Sequence, residues 1–349
     1  MIQEADAVVI GAGPVGMFQV FQLGLHGIQA HLIDALPHAG GQCVELYGDK
    51  PIYDIPGIPV CTGRELAALL LRQIAPFQPQ WHLNALVAAL APQADGRLLV
   101  ETSQGAHLLA RSVFIAAGVG AFVPRTLKVE GIAPFVGRQV HYQQLPASLS
   151  RAGQHVVVHG GDEAAVACAL SLATADTARA PDRITLLHRR DAFQATPELL
   201  SQLQALRDAG RIQVTVGQIT GLQVQSNRLT ALQLVDVDGA PQRQPLDLLV
   251  PVLGLSPRLG PIADWGLQLE RKQLVVDTQA FGTSVPGIYA VGDINSYPGK
   301  RKLILCGFHE ATLAAFGAAE WLAGHKLPLE YTTSSAKLQG YLGVDTAKG

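Results

Sequence analysis

Two stretches of this chain share one grammar: a short apolar run, a glycine turn, a helical pattern and a second apolar run. The first is "DAVVIGAGPVGMFQVFQLGLHGIQAHLIDA", residues 6–35. The second opens on "VVVHGGDEAAVACAL", residues 156–170, and closes on "RITLLHRR", residues 183–190. Each reads as a βαβ unit, and such units need a parallel sheet with helices packed on it. The chain has 349 residues, enough for two cores of ordinary size. The pattern therefore predicts an α/β fold built from two Rossmann-like dinucleotide-binding domains.

In the first unit the residues Gly11-Ala12-Gly13-Pro14-Val15-Gly16 form GxGxxG between strand and helix. Gly11 makes the tight turn, Gly13 lets the backbone approach a pyrophosphate, and Gly16 lets helix and sheet pack closely. The helix N-terminus offers free N–H groups and positive dipole to the phosphates. Asp34 ends the second strand, where its carboxylate can accept from both ribose hydroxyls and would repel a 2′-phosphate. This site favours FAD or NAD over NADP.

The second unit has no carboxylate at the matching strand end. Arg189 and Arg190 stand there, and two guanidinium groups can grip a 2′-phosphate by charge-assisted hydrogen bonds. The pair of units thus suggests FAD in the first and NADPH in the second. The glycine turn admits two registers. With Gly160 as the turn residue, Asp162 takes the close-approach position and Ala165 the packing position. With His159 at the turn, Gly161 and Ala164 take them. The first register sets a carboxylate beside a diphosphate.

A net charge of −2 supplies no global attraction to nucleic acid or membrane surfaces. No apolar run approaches the roughly 20 residues of a membrane span. The N-terminus enters a strand almost at once, so cytoplasm is the expected compartment. The cysteines, Cys43, Cys61, Cys168 and Cys306, are far apart in sequence and make neither a CxxC pair nor a metal knuckle.

Both units, with "HRRDAF", resemble the thioredoxin-reductase-like flavoproteins, in which an FAD domain is interrupted by an inserted NADPH domain. "ARSVFIAAGVGAFVPR" (110–125) is similar to the exit from the FAD domain and "TSVPGIYAVGDIN" (283–295) to the return. The expected boundaries are 1–122 with 283–349 for FAD, and 123–282 for NADPH. "GVGAFVPRT" and "AFGTSVPG" are the expected hinges. The region matching the reductases' CxxC, "GRQVHYQQLPAS" (137–148), has no cysteine, so electrons would leave from the flavin itself.

Within that group the chain resembles the ferredoxin–NADP+ reductases, through "GGQCVELYGDKPIYDIPGIP", "LGLSPRLGPIADWGLQLE", "VPGIYAVGDINSYPGKRKLI" and "YTTSSAKL". The resemblance implies FAD contacts from Gln42, Tyr47 stacked on the isoalloxazine, Val87 at the adenine, Phe122, Asp293 and Thr333. Gly160, Gly161, Arg189 and Arg190 would hold NADP. It implies a homodimer that passes electrons between NADPH and ferredoxin or flavodoxin. Acidic acceptors would be steered by Lys300, Arg301 and Lys302. Gln194, Cys306 and His309 depart from the pattern. Other readings are a flavoprotein oxidase or quinone reductase, a disulfide reductase working through Cys43, and a non-catalytic redox sensor.

Overall fold

The computed structural model describes residues 2–143, 145–146, 149–175 and 180–344, the side chains of 122 and 257 excepted. It contains two compact units: Met1–Phe122 with Pro257–Gly349, and Val123–Ser256.

The first unit opens with β1 (Ile2–Ile10), α1 (Pro14–Leu25) and β2 (Ala30–Ile33). After α2 (Gly41–Glu45) and α3 (Gly63–Ile74) come β3 (Gln80–His82), β4 (Val87–Pro92), β5 (Leu98–Thr102) and β6 (His107–Ile115). The sheet runs β3-β2-β1-β6-β5-β4. Its β3–β2, β2–β1 and β1–β6 pairings are parallel, whereas β6–β5 and β5–β4 are antiparallel. Val8, Val9, Leu32 and Val113 are fully buried, as expected of strands covered on both faces. Each such side chain contributes about 1.5–3 kcal/mol by leaving water. Pro14 sits at the start of α1, where its missing N–H costs nothing. Thr62 and Glu65 close a reciprocal capping box on α3.

The second unit alternates β7 (His155–His159), α4 (Glu163–Ala173), β8 (Arg183–His188), α5 (Pro197–Asp208) and β9 (Gln213–Val216). An antiparallel sheet follows, β10 (Gln218–Gln225), β11 (Arg228–Val235) and β12 (Pro241–Pro245), before β13 (Leu248–Pro251). The parallel sheet runs β9-β8-β7-β13. Successive residues of β7 point to opposite faces. Val156 and Val158 pack with Val166 and Ala169 of α4, while Val157 packs with Leu232 and Leu234 of β11. Helices thus cover one face and the antiparallel sheet the other.

The chain rejoins the first unit at Pro257, not at 283. Ile262, Leu267, Leu274, Val276 and Phe281 all enter the first core, so burial draws residues 257–282 out of the inserted unit. The strand Gln273–Val275 pairs in parallel with Asn295–Ser296. "AFGTSVPG" therefore lies inside the first unit rather than at a crossing. β14 (Ile288–Ala290) pairs with the second half of β6, beyond the half that holds β5. α6 (Ile304–Ala323) and α7 (Ala336–Tyr341) complete the unit. Ala311, Ala314, Ala315 and Ala318 of α6 are fully buried, and Phe308 meets Phe18 of α1 with ring centroids 4.7 Å apart.

Candidate functional site

A cleft opens at the carboxyl ends of β1 and β2, where ligands bind in open α/β sheets. Gly11 adopts φ +106° and donates its N–H to the Ile33 carbonyl at 2.8 Å. A Cβ there would meet the Ala116 carbonyl, so only glycine fits the turn. A Cβ on Gly16 would strike the Gly11 carbonyl, which places Gly16 at the packing position rather than on the cleft wall. Gly13 and Pro14 line the cleft, and Gly13 faces Gly41 closely enough that a Cβ on Gly41 would stand 3.0 Å from the Gly13 Cα. This glycine-lined gap beside the start of α1 suits a diphosphate.

Asp34 lines the same cleft. Its Oδ2 accepts from the Ala12 N–H at 2.6 Å and its Oδ1 from the Leu36 N–H at 2.8 Å. Burial pushes the carboxyl above its ordinary pKa, and these two backbone donors pull against that. Each oxygen keeps a lone pair for a ribose hydroxyl. Val87 is buried on the wall.

Gln42 and Asp293 are 251 positions apart, yet the Gln42 Nε2 donates to the Asp293 Oδ2 at 3.0 Å. Both line the cleft with Tyr47, whose hydroxyl lies 3.5 Å from the Cys43 thiol. Burial raises the pKa of Tyr47 and of Cys43, so both stay protonated at neutral pH. A cleft with a glycine cradle at one wall, a carboxylate on another and a flat aromatic in reach fits FAD.

One sequence expectation is corrected here. Lys300 is not a free surface charge: its side chain is 9% exposed, and its Nζ donates to Glu310 Oε1 and to the Gly292 carbonyl at 2.8 Å. Arg301 and Lys302 remain exposed, and Lys302 lines the cleft. Thr333 is exposed and is not among the residues lining the cleft of its own chain. Phe122 ends the first stretch of the unit, on the strand Ala121–Pro124, but its side chain lies outside the described residues.

Sequence reasoning also missed two residues. Glu310 has 0% exposure and gathers four donors: the Gly292 N–H at 2.7 Å, Asn295 Nδ2 at 2.9 Å, the Tyr297 hydroxyl at 2.9 Å and Lys300. A carboxylate in an otherwise alanine and glycine stripe of α6 was the available signal. Trp265 lines the cleft, and its Nε1 is buried without a hydrogen-bond partner among the described residues. A buried indole N–H normally finds an acceptor.

In the second unit the sheet register settles the glycine turn. His159 pairs with Leu187 as Ile10 pairs with Ile33, and the Gly160 N–H binds the Leu187 carbonyl as that of Gly11 binds Ile33. A Cβ on Gly160 would strike the Val252 carbonyl, the counterpart of Ala116. Gly160 is therefore the turn residue, and Asp162 holds the position of Gly13. Asp162 caps α4, its Oδ1 accepting from the Ala165 N–H at 3.0 Å. Gly161 is covered by the His188 ring, and its carbonyl accepts from the Gln194 N–H at 2.9 Å. Arg189 and Arg190 are exposed and form no salt bridge among the described residues, whereas neighbouring Asp191 is paired with Arg207.

The four cysteines are free, with Cys43 and Cys61 buried. Among the described residues no group of three or more His, Cys, Asp or Glu side chains could hold a metal ion. No described helix is long and apolar enough to cross a membrane.

Two compact units, each built on a nucleotide-type βαβ segment, with the second interrupting the first along the chain, define a two-dinucleotide oxidoreductase fold. The family model described as pyridine nucleotide-disulphide oxidoreductase matches residues 5–311, and the chain belongs to that family. It is an enzyme whose family cofactors are FAD and NADP(H). It is 68% identical to the ferredoxin–NADP reductase of Verminephrobacter eiseniae (strain EF01-2), over 99% of this chain and 98% of the relative. It is likewise 68% identical to that of Acidovorax sp. (strain JS42), over 99% and 97%. Among solved structures, a thioredoxin reductase from Gloeobacter violaceus aligns with a TM-score of 0.60 at 20% identity, covering 94% of this chain and 98% of that one. That last likeness concerns the fold.

Proposed function

We propose that the chain passes electrons between NADPH and ferredoxin or flavodoxin, with FAD in the cleft of the first unit and NADPH on the second. The observation that carries this reading is the 68% identity, along nearly the whole chain, to ferredoxin–NADP reductases. FAD, when bound, supplies the redox chemistry: hydride exchange with the nicotinamide and single-electron exchange with the acceptor. The chain's own residues bind, orient and exclude. Gly11, Gly13 and Pro14 present the start of α1 to the diphosphate. Asp34 receives the ribose hydroxyls and repels a 2′-phosphate. Val87 meets the adenine, and Tyr47, Gln42 and Asp293 border the flavin. Gly160 and Gly161 form the nucleotide turn of the second unit, and Arg189 and Arg190 receive the 2′-phosphate of NADPH.

Exposed Arg301 and Lys302 beside the cleft support an acidic acceptor docking there, without Lys300. Exposed Leu329 and Tyr331 in the tail support the homodimer that the resemblance implies, and the cytoplasm is its place of work. A disulfide reductase working through Cys43 is disfavoured, because burial keeps that thiol protonated and thus unreactive.

Anaerobic titration tests the reading. NADPH should bleach the bound flavin rapidly and NADH much more slowly, and cytochrome c reduction should rise when ferredoxin is added. Bleaching without any stimulation by ferredoxin or flavodoxin would favour an oxidase or quinone reductase. No bleaching with either nucleotide would favour the sensor.

A further inference from the structure

The loop from Gly292 to Lys300 wraps around one fully buried carboxylate. Glu310 Oε2 accepts from the Gly292 N–H and Asn295 Nδ2, while Oε1 accepts from the Tyr297 hydroxyl and Lys300 Nζ. Lys300 then returns to the Gly292 carbonyl, so both the N–H and the carbonyl of Gly292 are held by the same ion pair. Gly292 has φ +80°, a conformation that side chains rarely adopt. The next residue, Asp293, faces the cleft and meets Gln42.

A buried ion pair is a costly way to anchor a loop, because each ion loses several kcal/mol of hydration. A hydrophobic pair of the same volume would hold the chain equally well. What it could not do is direct two opposite groups of one peptide backbone, the N–H and the carbonyl of Gly292, at once. The carboxylate turns the Gly292 N–H away from the cleft, and the ammonium takes the carbonyl. Gly292 is left with a single orientation, which delivers Asp293 to Gln42.

We propose that Glu310, acting with Lys300, is a positioning residue for the flavin site: it sets the orientation of Gly292 and through it the placement of Asp293 against Gln42 and the cofactor. The inference rests on the reading that FAD occupies this cleft. Glu310 touches no cofactor on this account, since it is sealed behind the loop.

The test is a double-mutant cycle on FAD affinity, measured by flavin fluorescence as the cofactor is titrated into apoprotein. Glu310→Gln keeps the shape but sets an amide N–H₂ against donors on one side. It should raise the FAD Kd by about tenfold or more and shift the absorption bands of the bound flavin. Gln42→Ala removes the other partner of Asp293. If both act through Asp293, the Gln42→Ala, Glu310→Gln double variant should bind FAD scarcely worse than the poorer single variant. The companion double variant Lys300→Met, Glu310→Gln, which leaves no buried unpaired charge, should recover apoprotein Tm but not the flavin spectrum. Additive losses, or a lowered apoprotein Tm with unchanged FAD Kd and unchanged spectrum, would overturn the inference and leave Glu310 a purely structural residue. Wild-type apoprotein that takes up no FAD would instead overturn the reading of the cleft itself, and this inference with it.

Discussion

The two glycine turns of this protein are built on one plan and differ in what they leave at the start of the helix. In the first, Gly13 caps α1 with no side-chain hydrogen bond, and the N-terminal amides are open to an anion. In the second, Asp162 occupies the same position, and its own carboxylate takes the Ala165 N–H. The strand ends reverse the charges. The first ends on half-buried Asp34, tied back to Ala12 and Leu36, and the second on exposed Arg189 and Arg190. The difference teaches that strand–turn–helix geometry survives a change of sign at both of its polar positions. In the first unit the start of the helix presents free backbone groups, and in the second the open polar groups are exposed side chains.

Exchanging the two caps is the most severe test of that contrast. Gly13→Asp would bring a carboxylate to the diphosphate of FAD. Like charges about 4 Å apart repel by ~4 kcal/mol at an effective dielectric of 20, so FAD affinity should fall by about 100- to 1000-fold. Flavin absorbance after gel filtration reads the result, and a variant that remains yellow would break the comparison.

Removing the cations is next in size. The double variant Arg189→Ala, Arg190→Ala should raise the KM for NADPH by about 10- to 100-fold, the worth of one or two charge-assisted hydrogen bonds. The KM for NADH should barely move, since NADH has no 2′-phosphate. Equal losses with both nucleotides would assign these arginines elsewhere.

Asp162→Asn sharpens the contrast more gently. Asparagine caps a helix as well as aspartate does, so the Tm should hold while the negative charge disappears. The KM for NADPH should then fall by a few-fold, about 1 kcal/mol or less at the screening of an open surface. An unchanged KM would show that the carboxylate lies out of reach of the bound phosphates.

The smallest effect belongs to Cys43. Burial disfavours its thiolate, so its pKa lies above the ordinary thiol value of about 8.5. Alkylation by iodoacetamide should therefore be slow at neutral pH and accelerate only at higher pH than for a free thiol, as mass spectrometry across a pH series would show. Cys43→Ser should leave NADPH oxidation and ferredoxin reduction as they were. Loss of activity would revive a sulfur relay.

The part of the candidate cleft formed by one βαβ unit was legible because it is local. Gly11, Gly13, Gly16 and Asp34 lie within one βαβ unit, and the periods of strand and helix alone bring them together. Arg189 and Arg190 follow from the same logic at the end of β8. The approximate extent of the inserted unit was legible too, although its far boundary moved from 283 to 257, because apolar residues of the intervening segment found the other core. Thr333 could not be placed by matching a tail motif, since a motif carries no statement of which surface it meets.

The chain itself determined two nucleotide folds, the acid in one, the arginines in the other and the lack of a dithiol pair. All of these depend on residue type and short spacing. Only the tertiary structure decided which glycine turns at Gly160, that Gln42 reaches Asp293 across 251 positions, and that Lys300 is spent on Glu310 rather than on a partner. The physical reason is common to all three. A hydrogen bond or ion pair between distant positions is set by where packed strands and helices bring them, and a charged residue reads the same in sequence whether it faces water or a buried carboxylate.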